Sequence, residues 1–336
     1  MTLYTRNTSA FDRIFAVAPM MDWSDRHCRF FHRLMSKRAL LYTEMVVADA
    51  VIHGDREYLL GFDETEHPVA LQLGGSDPVK LSEAASIGAD FGYDEINLNV
   101  GCPSDRVQSG TFGACLMRDP DLVGRCVDAM KNKVEVPVTV KCRLGVDEQD
   151  PEVALDDLAQ RVWNSGADAL WVHARKAWLE GLSPKENRDI PPLDYGRVTR
   201  LKDNNETQFV GINGGIDNLE AATGHLDKCD GVMLGRAAYQ RPALLRNVDQ
   251  SIYRSTATVV SYDEIIAHMV EYAHQHLERG GRLNQITRHM IGLFQGIPGA
   301  RAWRQILSIE AVKPGAVPQI IKEAFSAVST HLAEAA

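Results

Sequence analysis

The stretch 94–116, DEINLNVGCPSDRVQSGTFGACL, sets Cys102 between Gly101 and Pro103 at the end of an apolar-alternating run. Ile96, Leu98 and Val100 alternate with Asn97 and Asn99, the period of a strand with one apolar face and one amide-bearing face. Pro103 ends the ladder and pushes Cys102 toward extended backbone. A thiol at the carboxyl end of a strand, ahead of a loop containing Gly110 and Gly113, is well placed for chemistry and poorly placed for packing. The alternative is that Cys102 is one more buried small hydrophobe, as free cysteines usually are.

Other polar residues close apolar runs in the same way. Gln72, Asn99, Lys141, His173 and Asn213 each end a strand-like segment, and a ring of five such ends suits the carboxyl-terminal mouth of a barrel. An ammonium at Lys141, at the end of VPVTV, needs a negative partner: a bound anion, or a carboxylate such as Glu44. His173 carries less weight, since a histidine there also serves as a hydrogen-bonded core residue. Asn213-Gly214-Gly215 and Gly235-Arg236 follow the last two strand-like segments, where barrels commonly hold a phosphate. Polar strand ends beside a phosphate clamp describe a site for a planar, phosphorylated cofactor, and flavin mononucleotide (FMN) fits.

The elements that must position these groups alternate. Strands are predicted at 15–20, 40–45, 69–73, 95–99, 138–141, 170–174, 209–213 and 232–236, with helices at 25–36, 78–90, 119–132, 152–165 and 217–226. Eight strands with intervening helices predict a (β/α)8 TIM barrel, an α/β fold. A doubly wound sheet is the alternative, but no GxGxxG turn follows the first strand. The connection from Arg175 to Leu193 is far longer than the usual few residues and carries Arg175, Lys176, Trp178, Lys185 and Arg188. It reads as an excursion over the mouth whose cations meet a substrate, although Glu180, Glu186 and Asp189 also suit a solvated lid.

Beyond about residue 255 the rhythm becomes helical, with helices predicted at 262–279, 284–295, 300–309 and 317–333. The expected domains are therefore a catalytic barrel over 1–255 and a helical domain over 256–336. Within the latter, 279–304 holds five arginines (Arg279, Arg282, Arg288, Arg301, Arg304) and no acid, in a chain of net charge −9. With Trp303 and His289 interleaved, this is the composition of a phosphate-tracking surface with an aromatic for stacking; pairing of some arginines with acids is the plainer alternative.

At 336 residues the chain has room for a large barrel and a small second domain. Its six cysteines show no CxxC pair and no zinc spacing, so reduced thiols and no metal are expected. No apolar run is long enough to span a membrane and the first twelve residues lack a signal-peptide core, so a cytoplasmic protein with no membrane partner is expected. No coiled-coil repeat is present, and a monomer is expected.

Taken in order, Ala18-Pro19-Met20-Met21-Asp22, Gln72, Leu98-Asn99-Val100-Gly101-Cys102-Pro103-Ser104, Lys141, His173-Ala174-Arg175, Asn213-Gly214-Gly215 and Gly235-Arg236 resemble the tRNA-dihydrouridine synthases. The segments HARKAWLEGLSPKENRDIPPLDY and ITRHMIGLFQGIPGARAWR resemble the bacterial A subfamily, which modifies uridines 20 and 20a of the tRNA D-loop. The resemblance implies FMN held by Pro19, Met20, Met21, Gln72, Lys141, His173, Asn213, Gly214, Gly215, Gly235 and Arg236. It implies NADPH as a transient reductant, Cys102 as general acid, and tRNA met by Asn99, Arg175, Lys185, Arg188, Arg288, Arg301 and Arg304. A flavoprotein acting on a free pyrimidine, similar to dihydroorotate dehydrogenase, would leave the arginine-rich helices without a role. A non-enzymatic RNA-binding protein would leave Cys102 and the polar strand ends without one.

Overall fold

Three helices begin with the same pair, an aspartate followed by a proline. Asp77, Asp119 and Asp150 accept hydrogen bonds from the first backbone N–H groups of Pro78–Asp90, Pro120–Lys131 and Pro151–Asn164, and each proline takes a first-turn position that needs no N–H partner. These helices alternate with strands in a computed structural model that describes residues 13–104 and 112–334, with side chains to residue 330; Gly110 lies outside the described residues. The strands are β1 (Phe15–Val17), β2 (Leu40–Val47), β3 (Val69–Gly74), β4 (Glu95–Val100), β5 (Val138–Arg143), β6 (Ala169–His173), β7 (Val210–Asn213) and β8 (Gly231–Leu234). All pair in parallel in chain order and β8 returns to β1, closing the (β/α)8 barrel.

Alternation sorts the strand residues. Ile96 and Leu71 face the helix Pro78–Asp90, where a Cβ on Gly88 would lie 2.6 Å from Leu71 Cδ2 and 3.0 Å from Ile96 Cδ1. The opposite faces fill the barrel. Ala16, Tyr42, Ala70, Trp171, Phe209 and Met233 belong to one buried cluster. Room for the indole of Trp171 comes from β7, since a Cβ on Gly211 would lie 2.2 Å from its ring.

Backbone contacts divide the described chain into two units. One joins the residues up to Asp22 with Arg38–Gly235; the other joins Trp23–Lys37 with the residues from Arg236 onward. The sequence reading draws a single boundary at 255/256 instead. In the second unit the helix Arg26–Met35 packs on Tyr262–Glu278: Phe30 stacks on Tyr272 at 3.9 Å, and His27 Nδ1 lies 2.8 Å from the Tyr272 hydroxyl. Phe294 centres the rest of that core, with Trp303 edge-on at 4.8 Å and Phe325 at 5.7 Å. The predicted helix 284–295 stops at Met290, and the next is Ala300–Ile309, whose cap Gly299 has φ 85° and sits where a Cβ would be 2.1 Å from Ala327 O. Among the described residues no helix is long and apolar enough to cross a membrane.

Candidate active site at the barrel mouth

Cys102 follows β4 in a turn built by Asn99. The Asn99 Oδ1 accepts from the backbone N–H of Gly101 at 3.0 Å and of Cys102 at 2.9 Å, so the amide holds both residues of the turn. The Cys102 carbonyl accepts from Ala114 N at 2.9 Å, tying the far side of the turn to the short helix Gly113–Arg118. The thiol is partly exposed and lies 3.4 Å from the Ser104 hydroxyl, so Cys102 is not a fully buried packing residue.

The amides of β3 and β4 form a ladder. Asn99 Nδ2 donates to Gln72 Oε1 at 2.7 Å, and Gln72 Nε2 donates to Asn97 Oδ1 at 2.8 Å. Asn97 Nδ2 donates to Thr139 at 2.8 Å, and Thr139 and Tyr42 both donate to Glu95 Oε1, at 2.6 and 2.5 Å. Glu95 is fully buried, and burial pushes its carboxyl up to about 8 against the lowering effect of the Thr139 hydrogen bond. Gln72 is 1% exposed and joins this ladder below the rim.

Lys141 pairs in register with Asn99 on β4 and Trp171 on β6. Burial, together with the charge of Arg143, lowers its ammonium to about 8. It has no hydrogen-bond or ion-pair partner among the described residues, so the Glu44 pairing considered from sequence does not form. Lys141 and Arg143 both lie within electrostatic range of Cys102. A cation in that position calls for an anion.

The last two strands supply the rest of the rim. Gly214 and Gly215 have φ of 114° and 67°, and a Cβ on Gly214 would lie 2.6 Å from His173 Cδ2. Asn213 Nδ2 donates to Met233 O at 2.8 Å, and the Tyr195 hydroxyl to Gly214 O at 2.7 Å, which fixes the loop after β7. A Cβ on Gly235 would meet only ordinary van der Waals contacts, the nearest Met20 Sδ at 3.6 Å, and Arg236 opens the helix Arg236–Gln240 in the second unit. Pro19 and Met20 are partly buried at the end of β1, whereas Met21 is 52% exposed. An ammonium unpartnered among the described residues, amide donors and a glycine turn that excludes side chains form a donor set that fits a planar, anionic, phosphorylated group.

Sequence reasoning missed Arg143, two residues past Lys141 on β5. Buried, it donates from Nε to Gly101 O at 2.9 Å and from one terminal nitrogen to Lys176 O at 3.0 Å and Asn187 O at 2.9 Å, linking the Cys102 turn to the 175–193 loop. Inside that loop the buried Asn187 side chain bonds both the N–H and the C=O of Trp178, each at 2.8 Å. Arg175 is turned inward and donates to the carbonyls of Pro191 and Asp189, whereas Lys185 and Arg188 are exposed.

In the second unit Arg279, Arg282, Arg288, Arg301 and Arg304 are all exposed. Arg288 pairs with Asp25 at 2.5 Å, while the side chains of Arg279, Arg301 and Arg304 have no hydrogen-bond or ion-pair partner among the described residues. The stacking role expected of Trp303 is corrected: its ring is fully buried and its Nε1 donates to Met290 O at 3.1 Å. Ala300, Trp303 and Leu307 make the inner face of this helix, and the arginines its outer one. His289 is likewise buried. Among the described residues no group of three or more His, Cys, Asp or Glu is arranged to hold a metal ion.

The family model described as dihydrouridine synthase (Dus) matches residues 16–328. The chain is 57% identical over 321 residues to a tRNA-dihydrouridine(20/20a) synthase of Shewanella oneidensis, covering 96% of each chain. It is 54% identical to relatives with the same description from Vibrio parahaemolyticus, covering 94% of this chain and 97% of the relative, and from Escherichia coli, covering 94% and 91%.

Proposed function

The chain belongs to the dihydrouridine synthase family, and from that premise we propose that it reduces the C5–C6 double bond of uridines 20 and 20a in the tRNA D-loop. The cofactor is FMN, reduced by NADPH, which binds transiently. The enzyme acts as a cytoplasmic monomer, with the barrel carrying the chemistry and the helical unit holding the tRNA. The observation that carries this reading is the partly exposed Cys102, fixed by two backbone hydrogen bonds to Asn99 and close to a lysine without an anionic partner among the described residues.

The residues that would hold FMN are Pro19, Met20, Met21, Gln72, Lys141, His173, Asn213, Gly214, Gly215, Gly235 and Arg236. When bound and reduced, FMN supplies the hydride equivalent. Lys141 would provide positive charge for the anionic form of the bound group, and the backbone N–H groups around Gly214 and Gly215 would hold its phosphate.

Hydride addition at C6 of uracil places negative charge on C5 and on the C4 oxygen, so C5 must be protonated from the other side of the base. Cys102 does this: the proton moves from Sγ to C5. Asn99 keeps one Nδ2 hydrogen beyond the one it gives Gln72, and that hydrogen meets a carbonyl of the base. The uridine leaves the tRNA fold to reach this depth, as bases do in enzymes that act on a single nucleotide. Lys185, Arg188, Arg288, Arg301 and Arg304 meet tRNA phosphates, which reads shape rather than sequence. Arg175 contributes by holding the 175–193 loop.

The test is to incubate unmodified tRNA with the protein and NADPH and locate added hydrogens by nucleoside mass spectrometry and mapping. Gain of two hydrogens at uridines 20 and 20a supports the reading; unmodified D-loop uridines in the presence of reduced protein would refute it.

A further inference from the structure

We propose that Glu95 and Thr139, near the amino-terminal ends of β4 and β5, are positioning residues that set the direction of the hydrogen-bond chain holding the Cys102 turn. The inference deepens the reading above and rests on Cys102 as proton donor. The chain is continuous. Gly101 N and Cys102 N donate to Asn99, Asn99 to Gln72, Gln72 to Asn97, Asn97 to Thr139, and Thr139 to Glu95, with every distance between 2.6 and 3.0 Å.

Every bond in it points the same way. A primary amide has an oxygen on one side and an NH2 on the other, so Asn99, Gln72 and Asn97 transmit a direction and cannot be reversed singly. At the mouth the chain begins with two backbone N–H groups, which can only donate. At the other end it needs a group that accepts, and a carboxyl oxygen does so. The hydroxyl of Thr139 could donate or accept; by donating to Glu95 it is left to accept from Asn97, and the three amides follow.

Tyr42 donates to the same Glu95 oxygen, so two hydroxyls agree on that oxygen as the terminus. Reversal would turn the Asn99 NH2 against the N–H groups of Gly101 and Cys102, breaking two bonds at the turn. Head-to-tail hydrogen bonds also polarise one another, so the terminus strengthens the bonds at the thiol's own backbone. Glu95, Asn97 and Thr139 are fully buried and Gln72 is 1% exposed, so bulk water does not compete along this stretch. The consequence at the mouth is that Asn99 commits its oxygen to the turn and presents a hydrogen outward, the complement of a carbonyl rather than of an amino group.

The experiment uses Thr139→Val and Thr139→Ser, each with and without Cys102→Ala, as flavin-loaded full-length protein. Two rates are read anaerobically: reduction of the flavin by NADPH, and single-turnover reoxidation by tRNA lacking dihydrouridine. Thr139→Val is expected to slow reoxidation about tenfold with reduction unchanged, because the turn loses its fixed geometry. Thr139→Ser keeps the hydroxyl and restores reoxidation. In the Cys102→Ala background Thr139→Val is expected to add much less than tenfold, keeping only the part that acts through the Asn99 contact to the base.

An equal fall in both rates, the same tenfold loss in the Cys102→Ala background, or a serine variant as slow as the valine would overturn the positioning role. Full reoxidation by Cys102→Ala alone would instead remove Cys102 from the mechanism and the inference with it.

Discussion

The barrel and the helical unit hold their charges in opposite ways. In the barrel Arg143 is 3% exposed with three backbone carbonyls as acceptors, Lys141 is lowered to about 8 by burial, and the fully buried Glu95 keeps its proton up to about 8. In the helical unit the side chains of Arg279, Arg301 and Arg304 stand in solvent without partners among the described residues. Buried charges are costly unless they are bonded, so their presence signals fixed geometry for chemistry. Exposed, unpaired arginines cost little and bind polyanions through screened, salt-dependent attraction. On the proposed function, one unit is organised for position and the other for contact.

Variants on either side sharpen that contrast. Cys102→Ala has the largest expected effect: dihydrouridine formation falls by about 10²-fold or more, the range for loss of a general acid, with NADPH reduction of the flavin unchanged. Stopped-flow traces of the two half-reactions check it. Next is Gly214→Ala, where φ 114° and a Cβ 2.6 Å from His173 Cδ2 force strain of about 1–3 kcal/mol into the proposed phosphate loop. The variant should lose flavin on gel filtration while its tRNA affinity is unchanged.

Arg301→Ala and Arg304→Ala should each weaken tRNA binding across sequences and reduce the slope of log affinity against log salt by about 1, with no change in NADPH oxidation by a small acceptor. Filter binding at several salt concentrations decides this. A loss that persisted at high salt would make these arginines structural, and the contrast between the units would fail.

The smallest effect is a pH dependence. Glu95 holds its proton up to about 8 in the folded protein against an ordinary value of 4.5, so the folded state binds the extra proton between those limits. Its contribution to stability is fully present below about 4.5 and is lost as pH rises through about 8. Thermal melts of Glu95→Gln should therefore show a flatter fall in melting temperature from pH 5 to 8 than the parent. Parallel curves would mean that Glu95 does not titrate in this window.

The barrel was legible because parallel strands and amphipathic helices print their periods locally. Cys102, Asn99 and Lys141 were legible as polar interruptions of apolar runs. Arg143 escaped because the strand was read as ending at Lys141, although Thr139, Lys141 and Arg143 keep the inward period while Val140 and Cys142 are fully buried. Glu95 escaped because an acid that opens a strand looks solvated until Tyr42 and Thr139 are brought to it from 53 and 44 positions away. Trp303 shares its helical face with Ala300 and Leu307, a spacing that marks it as core. The helix at 26–35 was legible as a helix, but its stacking on Tyr272 comes from a segment more than 200 residues away.

The most direct measurement is anaerobic reoxidation of the NADPH-reduced protein by tRNA lacking dihydrouridine, followed through visible flavin absorbance. The account predicts rapid return of the oxidised spectrum with this tRNA and not with free uridine or orotate. Reoxidation by the free pyrimidine alone would contradict it and make the protein a small-molecule dehydrogenase.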